Sequence, residues 1–254
     1  MRRLHLFEFG DQQWFPQILR DAEMAYLTAA YRVWPALVRQ WAEKISTVLH
    51  SNAAVEIVDL CAGSGGAMPQ IIEDLRQRNY DVRAILTDLY PHPNSALDSR
   101  IKWLRDPVDA MHVPPKLTGV RTMFSAFHHF RPDSARAILK DAFEHRRTIC
   151  VFESGSGTPL GMVAMLGVPL AVLALMPLAR PLRWPHLLFT YLVPLLPFLM
   201  LWDGMVSMLR IYSPDQMRQL TVDLQSPDYL WELGLIKVSG IPDKLPYLIG
   251  RPIP

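Results

Sequence analysis

The chain has 254 residues and a mass of 29.0 kDa; half of it is apolar, a fifth is charged, and the mean hydropathy is +0.10. That composition excludes a disordered, collagen-like or low-complexity protein and leaves ample material for a core. Twenty-six Lys and Arg stand against 24 Asp and Glu, too small a surplus for a broad nucleic-acid surface, and two cysteines, Cys61 and Cys150, are too few for a disulfide scaffold.

The first 50 residues read as a helical cap. Ile18, Leu19, Ala22, Ala25 and Tyr26 form one helix-spaced apolar stripe, and Val33 to Val48 carries a second. Val55 to Leu60 is a β-branched run that ends in a glycine turn, Gly63-Ser64-Gly65-Gly66, after which Met68, Ile71, Ile72 and Leu75 mark one face of a helix. Asp81 to Thr87 reads as a second strand stopping at Asp88, Ile101 to Leu104 as a third, Gly119 to Ser125 as a fourth and Thr148 to Phe152 as a fifth. Between the last two, Ala135, Ile138, Leu139, Ala142 and Phe143 make an amphipathic helix opened by Pro132 and Asp133. This alternation predicts an α/β fold with a doubly wound, mostly parallel sheet. Pro214 to Leu224 reads as a short helix capped by Ser213. Tyr229 to Val238 and Leu245 to Ile249 follow as strands, joined by a connector too short for a parallel return, so one strand is reversed at or near an edge.

An apolar insert interrupts this pattern. Between Glu153 and Asp203 there is no acidic residue, the only formal charges are Arg180 and Arg183, and seven of the 22 prolines fall there. Pro159 to Ala179 is uncharged over 21 residues, and Trp184 to Trp202 is nearly as long. Two full crossings would carry Arg180-Pro181-Leu182-Arg183 to the far side of a membrane, against the positive-inside tendency. A helical hairpin dipping into one leaflet, or lying along it, fits better, with the arginines at lipid phosphates and Trp184 and Trp202 at the interface. The competing reading is a buried cap on a soluble enzyme.

Glycines at a strand-to-helix turn let a ligand approach the backbone, and an acid ending the next strand can accept both hydroxyls of a ribose. A dinucleotide fingerprint wants a third glycine where Met68 stands. A nucleophile elbow built on Ser64 wants glycine where Ala62 stands, and a phosphate-binding loop wants a Gly-Lys-Ser/Thr end that is absent. Asp59-Leu60-Cys61-Ala62-Gly63-Ser64-Gly65 resembles the first motif of class I S-adenosylmethionine-dependent methyltransferases, with Cys61 where the family more often has glycine. The resemblance implies their Rossmann-like, seven-stranded fold over residues 51–158 and 203–254. Residues 1–50 would form the cap and lid, and 159–202 the insert. It implies S-adenosylmethionine as cofactor, held by Asp59, Ala62, Gly63, Ser64 and Gly65, with Asp88 and Leu89 at the ribose. Val108, Asp109 and Ala110 would take the adenine, and Ser125 and Ala126 would lie beside the methyl group.

In that family the end of the fourth strand borders the acceptor, which makes His128 and His129 candidates for a base or an orienting group. Neighbouring strand residues point to opposite faces, so one of the two is expected to meet the substrate. No metal is expected, because the eight histidines show no chelating spacing. The expected function is methyl transfer to a hydrophobic or amphiphilic small molecule or lipid at a membrane surface. The protein would be cytoplasmic, peripheral or monotopic on the inner face, with no nucleic-acid partner. Other displacements on the same sulfonium, and a non-catalytic membrane-bound adaptor, remain as alternatives.

Overall fold

The structure is a computed structural model that describes residues 3–49, 55–91 and 98–253. Its centre is a seven-stranded sheet of β1 (Val55–Asp59), β2 (Val82–Leu86), β3 (Ile101–Trp103), β4 (Val120–Phe124), β5 (Ile149–Phe152), β6 (Tyr229–Lys237) and β7 (Lys244–Pro252). The strand order is β3-β2-β1-β4-β5-β7-β6, and β7 runs antiparallel to both of its neighbours. The reversed strand therefore lies one place in from the edge, as the short connector required.

Consecutive strand residues feed opposite layers, because a parallel strand is covered on both faces. Ile57 points to one core, where α2 (Pro35–Ser46) and α3 (Met68–Gln77) bring Leu37, Trp41, Ile45, Ile71 and Ile72. Val58 points to the other, where α4 (Pro132–Glu144) and α9 (Pro214–Leu220) bring Ile138, Leu139, Met217 and Leu220. Trp41 is fully buried, and Phe124 stacks on Phe152 at 5.7 Å behind it. Ser213 caps α9 as expected, through a reciprocal pair of bonds with Gln216.

The insert is wound as short pieces, not as two long helices. They are α5 (Pro159–Met165), α6 (Val168–Leu175), α7 (Trp184–Leu187), a π-helical stretch over Leu188–Leu192, and α8 (Leu195–Arg210). Proline explains the breaks. Pro169 stands in the first turn of α6, Pro177 lies where that helix tightens into a 3₁₀ turn, and Pro194 caps α8. Among the described residues no single helix is long and apolar enough to cross a membrane; the two paired segments bend by 43° and 84°. The expected boundary between residues 202 and 203 falls inside α8. A third apolar cluster joins the insert to α1 (Gln17–Val33): Ala22 and Tyr26 pack against Val172, Met176, Ala179, Leu196 and Met200.

Sheet closure between β1 and β4 depends on Gly119, just ahead of β4. A Cβ there would lie 2.3 Å from the Glu56 carbonyl oxygen, an approach only glycine permits. Gly119→Ala is expected to cost about 2–3 kcal/mol by overpacking a backbone that cannot yield. Urea unfolding would read this directly, and an unchanged midpoint would contradict it.

Candidate functional site

The expected site residues gather at the carboxyl edge of the parallel strands. β1 lies between β2 and β4, with Asp59 in register with Leu86 and Thr122. The chain then turns through Cys61, Gly63, Gly65 and Gly66, all in the left-handed region, with φ of +56°, +53°, +92° and +42°. For glycine that conformation is free, whereas Cys61 carries a cost of about 1–2 kcal/mol. Ala62 N–H donates to Thr87 O at 3.0 Å, and Gly63 N–H donates to Asp88 Oδ2 at 2.9 Å, so the turn is fastened to the end of β2. Asp88 Oδ1 accepts from Tyr90 N–H at 2.9 Å.

Asp59 is buried and accepts from Thr122 Oγ1 at 2.7 Å. Burial, opposed by that bond and assisted by the charge of Asp88, pushes its pKa up to about 8. Val108 N–H bonds to Asp88 O at 2.9 Å, bringing the segment after β3 against the end of β2. Asp109 caps its own turn by accepting from Met111 N–H at 2.9 Å, Ala110 is buried beneath it, and Leu89 is exposed.

Ser125, at φ +51°, ends β4; its Oγ lies 2.8 Å from Ser154 Oγ and accepts from Tyr31 OH at 3.2 Å, and Ala126 is buried beside it. The positive φ turns the chain out of strand geometry into a 3₁₀ turn over Phe127–His129. This corrects the expectation that the two histidines face opposite ways. Strand alternation no longer applies there, and the rings of His128 and His129 lie together with centroids 4.3 Å apart.

The two rings have different partners. Glu153, buried at the end of β5, accepts from His128 N–H at 3.0 Å and lies 2.8 Å from His128 Nδ1. A carboxylate there holds the proton on Nδ1, and among the described residues Nε2 has no hydrogen-bond partner. His129 Nδ1 meets Asp11 at 2.9 Å and Glu8 at 3.4 Å. Burial opposes protonation of His129, but the Asp11 bond and the charges of Glu8 and Asp11 outweigh it and raise the pKa to about 9. His129 is thus an ion-pair partner of Asp11, and His128 is the ring held by Glu153.

Glu8, His128 and His129 each bring a possible ligand atom within 4.8 Å of one another. Arg210 already supplies the positive charge, with Nη1 3.1 Å from Glu8 Oε1, 2.6 Å from Asp11 Oδ2 and 3.4 Å from His129 Nδ1. The cluster is thus tied together as an ion-pair network. Arg3 fixes the same turn from outside by donating to the carbonyls of His128 and Phe130 at 2.9 and 2.8 Å.

Helix α1 roofs the glycine turn. Met24 Sδ lies 3.5 Å from where a Cβ on Gly63 would stand, Thr28 Oγ1 is 3.5 Å from Ser64 Oγ, and the Tyr31 ring is 3.7 Å from the corresponding point on Gly66. Sequence reasoning missed Glu153, Met24, Thr28 and Tyr31. Glu153 carries the same signal as Asp59 and Asp88, an acid closing an apolar strand; the α1 residues carry no signal beyond helical spacing.

No family model matches the sequence, and no curated protein matches it. In structure the chain is similar to human N-acetylserotonin methyltransferase in complex with S-adenosylmethionine, at 14% identity and a TM-score of 0.53, covering 100% of this chain and 63% of that one. It is also similar to the plantazolicin methyltransferase BpumL in complex with S-adenosylhomocysteine, at 10% identity and a TM-score of 0.51, covering 97% and 93%. LepI in complex with S-adenosylmethionine aligns at 14% identity and a TM-score of 0.49 over 84% of this chain, which spans 46% of LepI. The chain has the Rossmann-like fold of class I S-adenosylmethionine-dependent methyltransferases.

The raised pKa of His129 gives a stability prediction. Its imidazolium is favoured in the folded state, so the contribution is complete below about pH 6.5, the ordinary histidine value, and is lost as pH rises through about 9. Unfolding free energies between pH 6 and pH 10 should show this fall, and His129→Gln should reduce it. An equal slope in the variant would remove the ion pair from the account.

Proposed function

We propose that the chain is an S-adenosylmethionine-dependent methyltransferase acting on a hydrophobic or amphiphilic small molecule or lipid. The observation that carries this reading is the clamping of His128 by Glu153 at both backbone and ring, on the strand next to the glycine turn and Asp88. Two neighbours that share the fold are named as methyltransferases and were solved with S-adenosylmethionine or S-adenosylhomocysteine, which supports the cofactor assignment.

The residues present fit that cofactor. Each oxygen of Asp88 accepts one backbone N–H and keeps a lone pair, an acceptor set suited to two ribose hydroxyls. Gly63 and Gly65 leave bare backbone at the turn, where a side chain would otherwise stand between the chain and a ligand. Val108 and Ala110 supply apolar contact for a base, with the Asp109 carboxylate beside them. When bound, S-adenosylmethionine supplies a methyl group on a sulfonium, transferred by in-line displacement, so that positioning provides most of the acceleration.

The protein's own part is to bind, orient and deprotonate. On this reading Glu153 holds the proton of His128 on Nδ1, which would leave Nε2 to accept a proton from a hydroxyl or amine of the acceptor as its methyl bond forms. Glu153 then stabilises the imidazolium that results. Arg3 and the Arg210 network act at one remove, as positioning residues for the turn. An apolar acceptor follows from the walls: the insert leaves β5 directly and packs on the helix that roofs the turn.

Calorimetric titration with S-adenosylmethionine and S-adenosylhomocysteine tests the cofactor, and Asp88→Ala should weaken both by roughly 10- to 100-fold. His128→Ala should keep that affinity while lowering turnover by roughly 10²–10⁴-fold, and Glu153→Gln should act in the same direction. Release of S-adenosylhomocysteine marks methyl transfer; methylthioadenosine would mark a different displacement. Properly folded wild-type protein that bound neither ligand would overturn the reading.

A further inference from the structure

The insert turns apolar faces in two directions. Val172, Met176, Ala179, Leu196 and Met200 point inward against α1. Elsewhere on the insert Val163, Leu166 and Leu170 stand exposed on and between α5 and α6, and Leu192, Phe198 and Trp202 on the π-helical stretch and α8. The exposure is large: Leu170 is 71% exposed, Leu192 78% and Trp184 70%. The two stripes meet. Leu166, Phe198, Leu201, Trp202 and Met205 line one shallow groove of about 370 Å³, which joins α5 to α8. The patch continues into the segment before α1, because Phe7 packs on Trp202 with ring centroids 5.4 Å apart and is itself exposed. Single exposed apolar residues are ordinary, but a contiguous face of this kind marks a contact surface.

We propose that this face docks on an anionic lipid surface, with the bent helices lying along one leaflet and the side chains of Leu170, Leu192 and Phe198 entering it. No single described helix is long and apolar enough for a crossing, and the paired segments bend by 43° and 84°, so the short apolar pieces are suited to lie along one leaflet. Charge selects the lipid. Arg180 and Arg183 are exposed in the link between the two halves, and the stretch from Ser154 to Trp202 holds no acid. Trp184 and Tyr191 stand exposed on the same insert, as aromatic side chains do at the headgroup level. A second copy of the chain fits less well, since an isologous contact would bring arginines to a patch without acids to receive them. The docking does not depend on the methyl-transfer reading, because vesicle binding reads it out without turnover.

Flotation of the full chain with phosphatidylcholine vesicles, with and without phosphatidylglycerol, tests the proposal. The expected result is binding to the anionic vesicles, with a blue shift of tryptophan emission and loss at high salt. Reversing Arg180→Glu and Arg183→Glu together should weaken that binding by roughly 30-fold or more, at about tenfold per 1.4 kcal/mol and about 1 kcal/mol per arginine. Leu170→Glu with Phe198→Glu should abolish it while leaving the melting transition in place, since both side chains face solvent. Should these variants fail to fold, quenching of wild-type tryptophan by brominated lipid in the same vesicles carries the test. Folded wild type that floats with neither vesicle, or variants that bind as wild type does, would overturn the proposal. So would a dimer, seen by light scattering without lipid and broken by Leu170→Glu.

Discussion

Glu8 is 4% exposed, and a carboxylate so far from water demands a cation at contact distance. Arg210, itself buried on α8, meets that demand and constrains much of the candidate site by doing so. Its guanidinium also takes the Leu6 carbonyl and Asp11, while Ser207 one turn earlier donates to Glu8 at 3.1 Å. Phe9 and Gly10 in turn donate to Asp203 at 2.8 and 3.0 Å. The segment before α1 is thus laced to α8 by charge and backbone together, and Arg3 extends the lacing to the turn that bears both histidines. Loss of one partner from a buried pair of this kind costs about 3–5 kcal/mol, so these residues belong to the folded core of the site.

Much of the architecture was legible because its signals are local. A β-branched run, glycines after it and an acid 23 residues beyond Gly65 place the turn and Asp88 without any long-range information. The reversed strand followed from connector length alone. The chemistry was less legible because it rests on pairings across the sheet: Glu153 and His128 lie 25 residues apart and meet only because β4 and β5 are neighbours. The histidines were misread for a physical reason, since the positive φ of Ser125, three residues before His128, ends the two-residue periodicity that would have separated them. Residues 3–11 show no periodicity, and their role exists only in contacts with residues more than 100 positions later, around His129 and along α8.

The insert shows both limits at once. Its length, prolines and missing charges are plain in the sequence, but the bends those prolines introduce are not, nor is the continuation of α8 past Trp202 to Arg210. A close acidic group in the same region was equally hidden. Glu23 is buried with one oxygen lacking a partner among the described residues, and burial together with the charge of Asp203 raises its pKa to about 8. A group of that kind is neutral through most of the physiological range, which is how so many acids can share one interior.

Helix α1 serves two surfaces simultaneously. One face, through Met24, Thr28 and Tyr31, closes the glycine turn; the other, through Ala22 and Tyr26, is the ridge on which the insert is packed. Any tilt of this helix wide enough to admit a ligand at the turn must shear its contacts with Val172, Met176 and Leu196. Opening of the turn and displacement of the insert are therefore coupled through that apolar seam.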